Sequence, residues 1–193
     1  MESTQTMAKE PKPNSQLPHF SQANAALAGQ WLQPQEVADD RLHISPDLLG
    51  KTLHGLRLRS AGWRESGAIW AGEMDEANSI VREVFFYHDL CNDQGRALSM
   101  ELSEAAKFSL YRELAARNRK LVGMIHTHPE DWVALSDIDQ ANQLCSRIGF
   151  WSLVLPHYAK QKWDFNTTGV HIRISEGWYQ FSPNEVAKRI IVQ

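Results

Sequence analysis

Residues Leu121 to Thr127 form an apolar run that ends on His126-Thr127-His128-Pro129; six residues later come Ser136 and then Asp139. The spacing predicts a buried strand, a loop and a helix in that order. On an extended segment, side chains at i and i+2 point to the same side of the backbone, roughly 6.6 Å apart, so both imidazoles can reach one ion. Ser136-Asp137-Ile138-Asp139 has the form of a capping box, with serine at the N-cap and an acidic residue three positions on. A helix opening at Ser136 aims its hydroxyl and the Asp139 carboxylate toward the end of the histidine strand. Two imidazoles and one carboxylate are the protein ligands of a catalytic zinc site, whose fourth position stays open for water. A His-x-His pair alone is commonly just a half-buried pair. The five fixed residues together arise by chance in roughly one chain of this length in several thousand.

The string from His126 to Asp139 resembles the JAMM motif, His-x-His-Pro, six residues, Ser-x-x-Asp, of the metalloprotease branch of the JAB/MPN/Mov34 family, and all five fixed positions are present. That family also carries a catalytic glutamate upstream, in prokaryotic members within a Glu-Thr/Ser-Gly-Gly-like run opening a buried strand. Arg64-Glu65-Ser66-Gly67-Ala68-Ile69-Trp70-Ala71-Gly72 is similar to it, with Ala68 in place of the second glycine. In element order the resemblance covers about residues 40 to 181. It implies an α/β fold, a mixed central sheet flanked by helices in the cytidine-deaminase-like JAB/MPN architecture, with one Zn2+ held by His126, His128 and Asp139.

Such a site needs these residue types. Zinc lowers the pKa of its bound water to about 7. Glu65, folded back beside the ion, would take a proton from that water as general base and deliver it to the leaving amine as general acid. Ser136 offers a neutral hydroxyl to the oxyanion of the tetrahedral intermediate. Glu73, Glu76 and Glu83 are the alternative sources of the base. Trp132 interrupts the loop between His128 and Ser136, where it either lines the substrate groove or pins the loop. His19, His43, His54, His88, His157 and His171 have no metal-like spacing and are given no role.

Within 193 residues there is room for one domain with a proper core. Residues 1–38, with Pro11, Pro13, Pro18 and Pro34 among Ser, Gln, Asn and Lys, are expected to be a flexible tail, with a short helical turn at Ala23 to Leu32; residues 39–193 form the catalytic domain. A net charge of -3 gives no basic excess for nucleic acid or an anionic membrane. No apolar run approaches the roughly 18 residues of a membrane span, and Met1 to Gln16 lacks a signal peptide's basic and apolar regions, so a cytoplasmic location is expected. Cys91 and Cys145 are too few for a disulfide framework or a thiolate zinc site, and Cys145 is expected as a buried helix thiol.

Ser45-Pro46 marks a helix start, with a leucine stripe running to before Gly62. Ala68 to Met74 and Ile80 to His88 read as an antiparallel pair of strands. Leu102 to Lys120 is helical, and Ser136 to Ile148 is the helix delivering Asp139. Phe150 to Leu155, Val170 to Ser175 and Trp178 to Phe181 supply further strands, with a long polar connection at Tyr158 to Thr168.

What is hydrolysed follows from the resemblance. JAMM enzymes cleave amide or isopeptide bonds after the C-terminal tail of ubiquitin-like proteins. The resemblance implies a bacterial isopeptidase that removes such a modifier from targets or trims its precursor, working with activating-type and conjugating-type enzymes, in antiphage defence among other settings. An extended tail bound by strand addition would leave only small residues beside the zinc. Two other classes stay open: a zinc hydrolase of a different peptide or small amide, and a non-catalytic scaffold of the same fold. The His-x-Glu and Pro-Cys-x-x-Cys signatures of nucleobase deaminases are missing.

Overall fold

In a computed structural model of the chain, the structure describes residues 37, 39–90 and 102–193. They run β1 (Arg41–Ile44), α1 (Pro46–Ser60), β2 (Gly67–Met74), β3 (Asn78–Phe86), α2 (Tyr87–Leu90), α3 (Glu104–Ala116), β4 (Lys120–Thr127), α4 (Asp137–Ala141), β5 (Trp151–Leu155), β6 (Gly169–Ile174), β7 (Gly177–Gln180), α5 (Pro183–Arg189) and β8 (Ile190–Val192). Apart from Val37, which is buried, the tail expected at 1–38 lies outside the described residues, as do the helical turn at Ala23 to Leu32, His19 and Cys91.

The eight strands make one sheet in the order β7-β6-β5-β4-β2-β3-β1-β8. It is mixed: β1 runs parallel to β3 and β8, β4 runs parallel to β5, and the remaining pairs are antiparallel. This is the expected mixed α/β class, a central sheet with helices on both faces. Alternation along the strands explains why both faces are dry. Trp70, Ile125, Trp151, Leu153 and Ile172 face Leu49 and Leu56 of α1 and Val186 of α5. Ile69, Met124 and Phe150 face Leu110 and Leu114 of α3. A strand covered on both sides reads as a continuous apolar run, and β4 is buried at every residue after Lys120.

Local signals account for most of the boundaries. Pro46 opens α1, and the Ser45 hydroxyl accepts from Leu48 N at 3.3 Å. Asp75 Oδ1 accepts from the backbone of Ala77 and Asn78 and closes the turn between β2 and β3. Thr52 fastens α1 to the sheet, taking a 3.1 Å hydrogen bond from Trp70 Nε1 deep in the core.

The structure corrects four expectations. The helix expected from Ser136 to Ile148 stops at Ala141, with Asn142 as its C-cap. Beyond it, Leu144 is drawn into the α3 face of the core and its carbonyl accepts from Tyr111 Oη at 2.6 Å, so that tertiary bond replaces a helical one. Cys145 therefore sits in an irregular segment, half-buried, rather than in a helix. The long helix of residues 102–120 is shorter at both ends, Glu104–Ala116, because Ser103 caps its start and Asn118, at φ 51°, turns the chain into β4. β3 ends at Phe86, and His88 belongs to α2.

A candidate metal centre

β4 delivers His126 to a fixed point in the sheet, opposite Gly67 of β2 and Val154 of β5. His128 lies one step past the strand but stays on the ladder: its N–H donates to Leu155 O and its carbonyl accepts from Tyr158 N, both at 2.8 Å. The backbone under both imidazoles is therefore rigid. Both residues are buried, and Asp139 reaches them from the first turn of α4.

His126 Nε2 lies 3.3 Å from Asp139 Oδ1, and His128 Nε2 lies 3.4 Å from Asp139 Oδ2. The two Nε2 atoms are 3.1 Å apart. Donors bonded at about 2.0–2.2 Å to a tetrahedral ion stand about 3.3–3.6 Å from one another. The three side chains thus already hold the spacing of three corners around a zinc-sized ion, and among the described residues they are the one such cluster. Nitrogen and oxygen donors in this mix suit zinc and several other divalent ions.

The tautomer of His128 is fixed by its neighbour. Trp132 O can only accept, so His128 Nδ1, 2.8 Å away, carries the proton and Nε2 presents its lone pair. Burial works against charge on His128, but hydrogen bonds to Asp139 and to the Trp132 carbonyl outweigh it, helped by the charges of Asp139 and Glu65, and raise its pKa. Burial likewise opposes ionisation of Asp139; hydrogen bonds with His126, His128 and Ser136 outweigh it and hold the carboxyl far below the usual carboxylate range. Asp139 is an anion ready to act as a ligand.

Ser136 forms the expected capping box: its hydroxyl accepts from Asp139 N at 3.1 Å, while its own N–H and hydroxyl donate to Asp139 Oδ2 at 2.7 and 2.6 Å. In this arrangement the hydroxyl orients the Asp139 carboxylate. To reach an oxyanion, it must swing off Oδ2.

Glu65 is held close to the histidine strand by its neighbour. Ser66 N donates to Thr127 Oγ1 at 2.9 Å, Thr127 N donates to Ser66 O at 3.0 Å, and the Ser66 hydroxyl donates to Leu56 O. One residue earlier, the exposed Glu65 side chain lines the same cleft as His128, Ser136 and Asp139. The other acids lie elsewhere. Glu73 pairs with Arg82 and Arg119, Glu83 with Arg117, and neither they nor Glu76 line the cleft.

The cleft has a volume of about 470 Å³. Trp132 stacks on the His128 ring, with centroids 5.1 Å apart and planes 20° apart, so it both pins the loop through its carbonyl and lines the groove with its indole. Sequence reasoning missed Trp63, Ile138 and Tyr158, which also line it. Trp63 and Ile138 stood beside Glu65 and Asp139 in the sequence, and that adjacency was the available signal. Tyr158 gave none. It sits on a turn in which His157, Tyr158 and Ala159 all have φ between 53° and 57°. Of the histidines given no role, His171 is buried with Nδ1 donating to Ser152 O at 3.2 Å, and His157 pairs with Asp131.

No protein-family model matches the chain. It is similar to a probable metalloprotease of Sinorhizobium fredii, 25% identical over 138 residues that cover 69% of this chain and 83% of the relative. Among solved structures, a protein of Desulfitobacterium hafniense aligns with TM-score 0.56 at 14% identity, over 79% of this chain and 92% of that one. A protein of Salinibacter ruber aligns with TM-score 0.51 at 15% identity, over 78% and 91%. A JAB1/MPN domain protein of Archaeoglobus fulgidus gives TM-score 0.45 at 20% identity, over 78% and 99%, below the level at which a shared fold follows. No helix among the described residues is long and apolar enough to cross a membrane.

Proposed function

We propose that the chain is a metal-dependent amide hydrolase of the JAMM type, a zinc isopeptidase or peptidase. One observation carries this reading: the donor atoms of His126, His128 and Asp139 converge at a cleft that His128 and Asp139 line together with Glu65 and Ser136, His126 being buried behind it. The likeness to a probable metalloprotease points the same way. A zinc ion held by the three side chains would acidify a water and polarise the substrate carbonyl. Glu65 takes the proton of the attacking water as the C–O bond forms, then gives it to the amine as the C–N bond breaks. The Ser136 hydroxyl donates to the oxyanion after leaving Asp139 Oδ2. The Trp132 carbonyl keeps His128 in the tautomer that presents Nε2.

The finer reading rests on the two motifs. The enzyme removes a ubiquitin-like modifier from its targets, or trims the modifier's precursor, in a bacterial conjugation pathway of the kind used in antiphage defence. On this reading it works in the cytoplasm, beside activating-type and conjugating-type enzymes. The test is release of a reporter fused to the C-terminus of a ubiquitin-like protein encoded beside this gene. Release by the zinc-loaded chain, lost in Glu65→Ala and after chelation, is the expected result. An intact fusion, across a panel of modifiers, sinks the modifier reading. If the same enzyme cleaves unrelated peptides, the hydrolase reading stands without it.

A further inference from the structure

Eight large apolar side chains are exposed among the described residues, and three of them, Trp63 at 64%, Trp132 at 54% and Ile138 at 68%, line the cleft that His128 and Asp139 also line. Single exposed apolar residues are ordinary, whereas several converging on one concave site mark a contact surface. Each is tied to a reacting group by the backbone. Trp63 precedes Glu65 by two residues, Ile138 precedes Asp139 by one, and Trp132 holds His128 through its carbonyl. The backbone of Trp63 is held in the turn that leaves α1, its amide N–H donating to Ser60 O at 3.1 Å. One face of the Trp132 indole lies against His128, leaving the other to a ligand.

We propose that Trp63, Trp132 and Ile138 form a subsite for one large apolar side chain, aromatic or leucine, on a residue flanking the scissile amide. This deepens the hydrolase reading and rests on it. It departs from the small-residue tail expected from the sequence. An all-glycine segment would leave the three side chains facing water when bound, gaining nothing from them, and about 470 Å³ is far more room than glycine uses. A buried leucine or phenylalanine would gain roughly tenfold to hundredfold in affinity over glycine. Of the charged groups that line the cleft, Glu65 and Asp139 are taken up by the proposed reaction and the metal, which leaves Glu130 and Arg64, of opposite sign, and so no cluster of one sign to recognise an ionic side chain instead.

The test reads binding apart from cleavage. Fluorescein-labelled pentapeptides with central Gly, Asp, Leu or Phe are titrated with the zinc-loaded full chain, and the same sequences at the junction of reporter fusions are assayed for kcat and KM. The Leu and Phe peptides should bind at least tenfold tighter than the Gly peptide. Trp63→Ala and Ile138→Ala, both at exposed positions, should erase that preference and raise KM more than they lower kcat, with one metal per chain retained. Equal binding of Gly and Phe peptides overturns the subsite, as does a preference that survives both substitutions. Preferential binding without any cleavage keeps the subsite and defeats the hydrolase reading.

Discussion

Gly169, on β6, lies against the loop that carries Trp132, and through it a substitution should reach the candidate metal centre. A Cβ placed on it would stand 1.9 Å from Val133 O and 3.0 Å from His171 Cε1. Ordinary contact of a carbon with a carbonyl oxygen begins near about 3.4 Å, so Gly169→Ala requires a separation of roughly 1.5 Å somewhere. β6 cannot supply it easily, because it is paired with β5 on one side and β7 on the other. The loop yields instead. Val133 adjoins Trp132, whose carbonyl holds His128 Nδ1 at 2.8 Å, and a shift of that size takes the oxygen out of hydrogen-bond range. Loss of such an orienting partner lowers metal affinity by about 10- to 100-fold, or about 1.4–2.7 kcal/mol. Overpacking adds a stability cost of about 1–3 kcal/mol, a fall in Tm of several degrees. The assay is a competition titration of the stripped protein against a chromogenic chelator, with circular dichroism and thermal unfolding alongside. Gly50→Ala is the control: nothing lies within 4 Å of its added methyl, and it should keep full metal affinity while gaining about 0.5–1 kcal/mol in α1. A folded Gly169→Ala protein that binds zinc as tightly as the native chain would falsify the coupling.

Three further outcomes are expected. Burial, together with the nearby His126, outweighs the hydrogen bond to Ser152 and lowers the His171 pKa to about 4. The unfolded chain, at about 6.5, binds the proton more readily, so stability is unaffected above pH 6.5 and falls by about 2–3 kcal/mol as pH drops to 4.5; urea unfolding at pH 7.5 and 4.5 should show that difference shrinking by this amount in His171→Gln, and an unchanged difference would refute it. Asp139→Asn keeps a side chain that can cap α4 but removes the anionic ligand, so metal content measured after dialysis should fall with affinity down over about a hundredfold, while near-native retention would remove Asp139 from the ligand set. Ser136→Ala loses a cap worth about 1 kcal/mol, and with zinc saturating it should turn over the fusion about 10²- to 10³-fold more slowly; a loss under tenfold would leave Ser136 only its role in orienting Asp139.

The parts of this molecule that were legible from sequence are those whose causes are local. β4 could be read because both of its faces are covered, which makes it a continuous apolar run, and α1 because Ser45 and Pro46 fix its start. His126, His128 and Asp139 were found because a two-residue strand spacing and a three-residue capping spacing are themselves geometry. Glu65 needed the motif as well, since its closeness to His128 depends on Ser66 meeting Thr127, 61 residues away. β1 and β8, of four and three residues, had no such signal. They pair in parallel with each other, β1 also with β3, and exist only once chain segments about 150 residues apart meet.

The turn at His157–Ala159 marks the far limit of local reasoning. Three successive left-handed residues, none of them glycine or asparagine, cost roughly 1–2 kcal/mol each, and nothing in their identities announces the conformation. What holds them is tertiary. Tyr158 N donates to His128 O, while Tyr158 O accepts from the Ser60 hydroxyl at 3.1 Å and Ala159 O from Arg57 Nε at 2.9 Å. The turn is thus pulled between the end of α1, which leads to Glu65, and the backbone of His128, a candidate metal ligand. Strain of this size persists only where the surroundings over-determine the backbone, and here the over-determination joins the two motifs that the sequence keeps 60 residues apart.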